Sequence, residues 1–104
     1  MRDDELYEWL GQTFEWDRLK ALRNAIKHGV RFTEAATVFF DHEALFSADG
    51  DHSIDEERYT VVGYSLQQRT LFVVHVVRGD KIRIVSARRA EPDERRAYER
   101  QLGR

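Results

Sequence analysis

The first forty residues alternate between apolar and polar positions in a way that predicts a short strand followed by two helices. Residues 14–16 have the pattern of a strand, and Asp17 is suited to cap the helix that follows. Gly29 ends this helix, because glycine readily adopts the left-handed conformation of a C-cap. Thr33 is then suited to cap a second helix. The apolar side of the first helix consists of Leu19, Leu22 and Ile26, and the second helix ends with Val38, Phe39 and Phe40.

The second half of the chain has the composition of strands. Residues 57–64 and 69–78 are rich in Val, Tyr, Thr and Phe, and residues 81–88 follow after only two residues. Those two residues, Gly79 and Asp80, predict a type II′ hairpin turn, which prefers glycine at its first position. A weaker strand is predicted at residues 44–47.

These elements predict an α+β domain. Pro92, with acidic residues in the turn after it, begins a final helix. The expected fold therefore has two N-terminal helices and a C-terminal helix packed on a mainly antiparallel sheet. Residues 14–104 form this single domain, and residues 1–13 are an N-terminal extension. The extension is either a short amphipathic helix or a frayed terminus, since Leu6, Trp9 and Leu10 fall at helical spacing.

A regular hairpin at Gly79-Asp80 fixes which side chains share a face of the sheet. Val77 then lies opposite Ile82, Val76 opposite Arg83, and His75 opposite Ile84. A bulge would exchange the two faces beyond it and would move Arg88 in particular. The expected core face holds Leu71, Val73, His75, Val77, Ile82, Ile84, Ser86 and Arg88, and the open face holds Phe72, Val74, Val76, Arg78, Lys81, Arg83, Val85 and Ala87.

Charge is segregated although the net charge is only −2. Residues 41–57 hold seven acidic side chains and no Lys or Arg, whereas residues 78–104 hold nine basic and five acidic side chains. Such a chain can present a basic face despite its balanced sum. Arg83, between two isoleucines, must leave on the open face. There it either binds phosphate or pairs with the acidic segment.

Composition excludes several kinds of chemistry. The chain has no cysteine, so disulfides and thiol catalysis are excluded, and no apolar run is long enough to span a membrane. Residues 49–60 superficially resemble a calcium loop, but Thr60 occupies the position of its bidentate glutamate. The four histidines lack the spacing of a zinc site. A cytoplasmic protein without cofactor or metal is therefore expected. Lys, Arg, His and Glu suit metal-independent RNA cleavage, although many domains contain them.

Ordered short motifs extend over nearly the whole chain and carry a family resemblance. They are Phe14-Glu15-Trp16-Asp17, Lys27-His28-Gly29-Val30, Asp51-His52-Ser53, Glu56-Glu57-Arg58, Ile82-Arg83-Ile84 and Ser86-Ala87-Arg88. With these motifs the chain resembles the BrnT family of bacterial toxins, which are similar to RelE-type ribonucleases. It departs from the family pattern in its thirteen-residue extension and in having Arg18 where proline is common.

The resemblance implies a RelE-like fold and RNA cleavage that halts translation. It also implies a BrnA-like antitoxin with a ribbon-helix-helix domain, in a hetero-oligomer that contacts DNA only through the antitoxin. The alternative is a catalytically weak RelE-like module that acts as co-repressor. By position, the expected catalytic residues are Lys27, His28, Arg58, Arg83 and Arg88, and the expected RNA-binding residues are Trp16, Arg69, Arg78 and Lys81.

Overall fold

A computed structural model describes residues 3–50 and 56–103, and its backbone forms a six-stranded sheet with helices on both faces. The strands lie in the order β1-β2-β6-β5-β4-β3, and every neighbouring pair is antiparallel except β2 and β6. The α+β class and the mainly antiparallel sheet are confirmed. The strands are β1 Asp4–Trp9, β2 Gln12–Asp17, β3 Leu45–Ala48, β4 Tyr59–Tyr64, β5 Thr70–Arg78 and β6 Lys81–Arg89; the helices are α1 Arg18–His28, α2 Phe32–Thr37 and α3 Pro92–Gln101.

The N-terminal segment is a β-hairpin, so the alternatives of a helix or a frayed end were wrong. Its turn is Leu10-Gly11, with φ of +50° and +86°. Tyr7 and Trp9 face the helices, and Tyr7 lies 5.6 Å from the ring of Trp16. The alternation of β1 partly buries these two rings, whereas the helical spacing of Leu6, Trp9 and Leu10 has no structural counterpart.

The first helix begins and ends where the sequence predicts. The Asp17 carboxylate accepts a hydrogen bond from the Lys20 N–H at 3.0 Å, and Gly29 adopts a φ of +69°. The second helix differs from its prediction, because Arg31 rather than Thr33 occupies the N-cap position. Residues Val38–Phe40 form a separate 3-10 turn. Both helices follow the β1-β2 hairpin and so do not begin the fold.

The β5-β6 hairpin has the predicted register near its turn. The three expected pairs of Val77, Val76 and His75 with Ile82, Arg83 and Ile84 are present, and Gly79 has a φ of +61°. A bulge follows, because Val74 pairs with Ser86 while His75 pairs with Ile84. Val85 is the extra residue. Beyond it the faces are exchanged, so Ala87 is buried, and Ser86 and Arg88 lie on the open face, as the bulged alternative predicted.

The main core lies between the sheet and the first two helices. Its fully buried members include Phe14, Val30, Val61, Leu71 and Val73. A smaller apolar cluster on the opposite face joins α3 to the sheet through Tyr98, Val62 and Phe72. Because α3 covers only the β4 end of that face, the rest of it stays open around β6 and β5.

The side chain of Asn24 holds α1 against β6. Its amide donates to the carbonyl of Ala87 at 2.8 Å and accepts from the N–H of Ala87 at 3.1 Å. It also donates to the carbonyl of Val30 at 3.0 Å. Strand β2 pairs with β6 only as far as Arg83, so Asn24 occupies part of the strand edge that β2 leaves uncovered. The helix is thereby fixed with its Leu19, Leu22 and Ile26 side turned outward.

Residues 51–55 lie outside the described part of the chain. Five of the twelve residues that superficially resemble a calcium loop, and the motif Asp51-His52-Ser53, fall there. Within residues 3–50 and 56–103, no helix has the length and apolar character needed to cross a bilayer.

Candidate active site

Four arginines lie on the open face of the sheet and line two adjoining hollows. Arg78 and Arg83 line the first, which has a volume of about 180 Å³. Arg88 lines the second, of about 380 Å³, and Arg58 lines both. We call the set Arg58, Arg78, Arg83 and Arg88 the arginine face. Several guanidinium groups on one surface are suited to bind the phosphates of a nucleic acid.

Arg83 lies at the centre of the arginine face and is held by two carboxylates. Its Nη1 lies 2.9 Å from Oε2 of Glu15, and its two terminal nitrogens lie 3.2 and 3.1 Å from the Asp4 oxygens. Burial alone would lower the pKa of Arg83, but the hydrogen bonds to Asp4 and Glu15 hold it above its ordinary value. The guanidinium is therefore charged and fixed in position, with only 8% of its side chain exposed.

Glu15 connects Arg83 to Arg78. The same carboxylate oxygen that bonds to Arg83 lies 3.5 Å from Nη1 of Arg78. Arg78 also forms two hydrogen bonds to Glu56, of 2.9 and 2.8 Å. The result is a continuous row of alternating charges across β1, β2, β6 and β5: Asp4, Arg83, Glu15, Arg78 and Glu56.

Arg88 is held at the other end of the arginine face. Both of its terminal nitrogens donate to Glu94 of α3 at 2.8 Å, and its guanidinium lies 4.2 Å above the ring of Phe72. Burial raises the pKa of Glu94, but the hydrogen bonds from Arg88 and the Glu91 backbone lower it to below its ordinary value. Glu94 therefore stays ionised and fixes the orientation of Arg88.

Lys20 extends the basic surface onto α1. It lies in the first turn of the helix and lines the same hollow as Arg58, Arg78 and Arg83. The hollow also includes Asp17, whose carboxylate caps the helix. The N-terminal end of α1 therefore forms one wall of the site.

The comparison with protein families matches the region that builds this face. A model of the BrnT family, described as the ribonuclease toxin of a type II toxin–antitoxin system, matches residues 16–94. The chain belongs to the BrnT family. Membership makes it a toxin of the ribonuclease class whose partner is an antitoxin. No curated protein matches the sequence.

The BrnT match encloses all four arginines but begins just after Glu15. Asp4, on the first strand, also lies outside it. Both carboxylates that hold the central arginine therefore belong to the part of the chain that precedes the matched region.

Five of the residues predicted for the site do lie on the open sheet face. Lys81 is at its outer end, paired with Arg78 across the hairpin and 3.9 Å from the Asp80 carboxylate. The other four are the members of the arginine face. Sequence reasoning offered Arg83 either a phosphate or the acidic segment 41–57 as partner. In the structure Arg83 instead pairs with Asp4 and Glu15, which lie outside the acidic segment.

Trp16 is not on this face. Only 2% of it is exposed, it packs edge-on against Phe32 at 5.7 Å, and its indole N–H donates to Glu5 at 3.0 Å. These contacts place it in the core between the sheet and the helices. The expectation that Trp16 binds RNA is corrected accordingly, because its ring is not accessible for stacking.

Arg69 also lies away from the arginine face, on the helical side. Its Nε donates to Glu34 at 2.9 Å and its Nη2 to the Gly29 carbonyl at 3.0 Å. Ser65 donates to the same Glu34 carboxylate at 2.8 Å. The hydrogen bonds to Arg69 and Ser65 outweigh burial and lower the pKa of Glu34 below its ordinary value. Arg69 thus joins the β4-β5 loop to both helices, so the structure does not bring it together with the arginine face, and its contact with RNA stays a prediction.

Lys27 and His28 lie at the last turn of α1. Lys27 is seven residues beyond Lys20, which corresponds to about 10 Å along the helix axis. The site hollow is lined by Lys20 and not by these two residues. The structure therefore does not bring these two residues together with the arginine face, because the wall of the site is the N-terminal end of the helix, and their catalytic role stays a prediction.

The carboxylates are the residues that sequence reasoning missed. A signal existed for Glu15, because it lies between the buried residues Phe14 and Trp16 in a strand and must therefore face the other way. No such signal existed for Asp4, whose strand was not predicted. Glu94 was expected to favour the helix dipole, and it additionally binds Arg88.

Proposed function

We propose that this chain is a metal-independent endoribonuclease whose active site is the arginine face. The observation that carries the proposal is the placement of Glu15 between Arg83 and Arg78, at 2.9 and 3.5 Å. This arrangement places a proton acceptor, 13% exposed, against two fixed cations that line the hollow. Such a combination is suited to RNA cleavage by the neighbouring 2′-hydroxyl.

In the proposed reaction the RNA phosphate displaces Asp4 from Arg83 and lies among the guanidinium groups. Glu15 accepts the proton of the 2′-hydroxyl, whose oxygen forms a bond to phosphorus. The bond from phosphorus to the 5′-oxygen breaks, and the leaving oxygen takes a proton from Lys20 or from water. Arg78, Arg83 and Arg88 stabilise the negative charge of the intermediate phosphorane. The products end in a 2′,3′-cyclic phosphate and a 5′-hydroxyl.

The test is cleavage of RNA in EDTA by the wild-type protein and by Arg83→Ala, with analysis of the product ends. Arg96→Ala, on an exposed position of α3, is the matched control. We expect cyclic-phosphate ends from the wild type and the control, and at least a ~100-fold slower reaction from Arg83→Ala. Equal rates for Arg83→Ala and wild type, with both proteins folded, would reject the proposed site.

The proposal includes the partners that the family resemblance implies. The antitoxin is of the BrnA type with a ribbon-helix-helix domain, and the toxin in this hetero-oligomer reaches DNA only through it. A RelE-like fold and action on RNA in the cytoplasm belong to the same proposal. Copurification of toxin and antitoxin, followed by DNA binding with and without the toxin, tests this assembly.

A catalytically weak co-repressor is the second candidate. The observation in its favour is that Arg78, Arg83 and Arg88 already bind carboxylates of the same chain. Expression in growing cells separates the two candidates. Growth arrest that Arg83→Ala relieves supports the ribonuclease, whereas normal growth with intact repression supports the co-repressor.

A further inference from the structure

The outer side of α1 carries an apolar stripe that is more than half exposed in the described part of the chain. Leu19, Leu22 and Ile26 are 52%, 58% and 77% exposed. Helical geometry places them about opposite Asn24, whose amide fixes the inner side of the helix to β6. Three large aliphatic residues in one stripe are costly to leave in water, and such a patch is typical of a surface that binds a partner.

Basic side chains border this stripe on both sides. At 100° per residue, Arg23 lies along one border and Arg18, which pairs with Asp3 and Glu5, along the other. Lys20 lies about 60° beyond Arg23, toward the inner side of the helix. Helix α1 has the sequence RLKALRNAIKH and contains no acidic residue. A groove beside the helix continues the apolar surface through Ala25 and Phe32, and it is lined by the basic Arg31 and the acidic Glu5 as well.

We propose that this outer side of α1 is the docking surface for an acidic amphipathic helix of the antitoxin. The complementary helix has aliphatic residues three or four positions apart, which pack on Leu19, Leu22 and Ile26, with Asp or Glu beside them. The antitoxin is chosen as occupant because the family to which the chain belongs acts with one. Charge determines the chemistry of the docking segment, because the basic side chains beside the stripe and Arg31 in the groove outnumber the acidic Asp3 and Glu5, and a net basic border favours an acidic ligand.

The position of the stripe has a consequence for inhibition. Lys20 lies next to Arg23 around the helix, just beyond the border of the stripe, and it lines the active-site hollow. A helix bound along α1 therefore ends beside the arginine face, where its flanking segment reaches the active site. The inference rests on the proposed pairing with an antitoxin, and it does not depend on the catalytic role of any arginine.

The experiment measures binding of the purified antitoxin encoded beside this chain by calorimetry. The variants are Leu22→Glu, Ile26→Glu and Arg23→Glu, and Leu66→Glu is the matched control. Leu66 is 65% exposed on the loop after β4 and lies away from α1. Circular dichroism confirms that each variant is folded, and RNA cleavage by each is recorded in parallel.

We expect Leu22→Glu and Ile26→Glu each to weaken antitoxin binding by about 30-fold or more, as for residues at the centre of an interface. Arg23→Glu should weaken binding by about five-fold and reduce its dependence on salt between roughly 0.1 and 0.5 M. Leu66→Glu should stay within about two-fold of wild type. In the complex, the amides of α1 should exchange hydrogen more slowly than in the toxin alone.

Unchanged binding by both leucine and isoleucine variants would overturn the proposal, as would an equal loss in Leu66→Glu. A toxin dimer that Leu22→Glu dissociates, with antitoxin binding unaffected, would also overturn it and assign the stripe to a second copy. Cleavage is read separately. A protein that binds the antitoxin through α1 but cuts no RNA supports the docking surface and rejects the proposed activity.

Discussion

Asp4→Asn should convert the arginine face into a stronger RNA-binding surface. In the wild type the Asp4 oxygens lie 3.1 and 3.2 Å from the Arg83 guanidinium. An RNA phosphate must displace this carboxylate before it binds Arg83. The substitution removes the competing charge while it keeps the size of the side chain.

The expected gain in RNA affinity follows from the exposure of the Asp4–Arg83 ion pair. The Asp4 side chain is 38% exposed, so water and salt screen its ion pair, which is then worth about 1 kcal/mol. If the phosphate no longer has to break this contact, its affinity rises by roughly five-fold. Loss of the Asp4–Arg83 ion pair should also lower the free energy of unfolding by about 1 kcal/mol.

Fluorescence anisotropy with an RNA whose 2′-oxygens are methylated measures this affinity without cleavage. Asp3→Asn is the matched control, because Asp3 lies on the same hairpin and pairs with Arg18 at a similar distance of 3.1 Å. We expect tighter binding for Asp4→Asn and wild-type affinity for Asp3→Asn. Weaker binding by Asp4→Asn, or an equal gain in both variants, would refute the placement of phosphate at Arg83.

Two further predictions concern stability. Asn24→Ala removes a buried amide that bonds to Ala87 and Val30, so it should lower the free energy of unfolding by about 2–4 kcal/mol, which urea denaturation measures. Burial lowers the pKa of His75 to about 4, although a hydrogen bond with the Val73 backbone partly opposes this. Because the unfolded chain then binds the proton more tightly, the His75 contribution is complete above about pH 6.5 and is lost toward pH 4, by about 3 kcal/mol in all. The melting temperature should therefore fall less for His75→Phe than for wild type as the pH is lowered. An equal fall in the two proteins would contradict this assignment to His75.

The sequence was most informative where local chemistry determines geometry. Gly79 favours the turn that fixes the β5-β6 register, and this register places Arg83 and Arg78 on one face. The bulge at Val85 was not predictable from alternation alone. The identities of Ala87 and Arg88 still favoured it, because the regular register would bury the guanidinium and expose the methyl group.

The N-terminal hairpin shows the opposite case. Its turn has the sequence Leu-Gly and therefore lacks the Asn-Gly or Asp-Gly pair that usually predicts a hairpin. Leu10 nevertheless adopts a positive φ, which leucine rarely does. Missing β1 meant missing Asp4. The outward direction of Leu19, Leu22 and Ile26 was equally hidden, because an apolar helix side has the same spacing whether it faces its own core or a partner.

The parallel pairing of β2 with β6 makes the order of synthesis important for this toxin. Residues Asp4 and Glu15 are made early, yet the strand that carries Arg83 follows them by 79 and 68 residues. The hairpin cannot join the sheet until β6 has left the ribosome, since β6 is the strand on which β2 pairs. Contacts so distant in sequence form late in folding. A nascent chain therefore lacks a complete arginine face until almost its whole length has been translated.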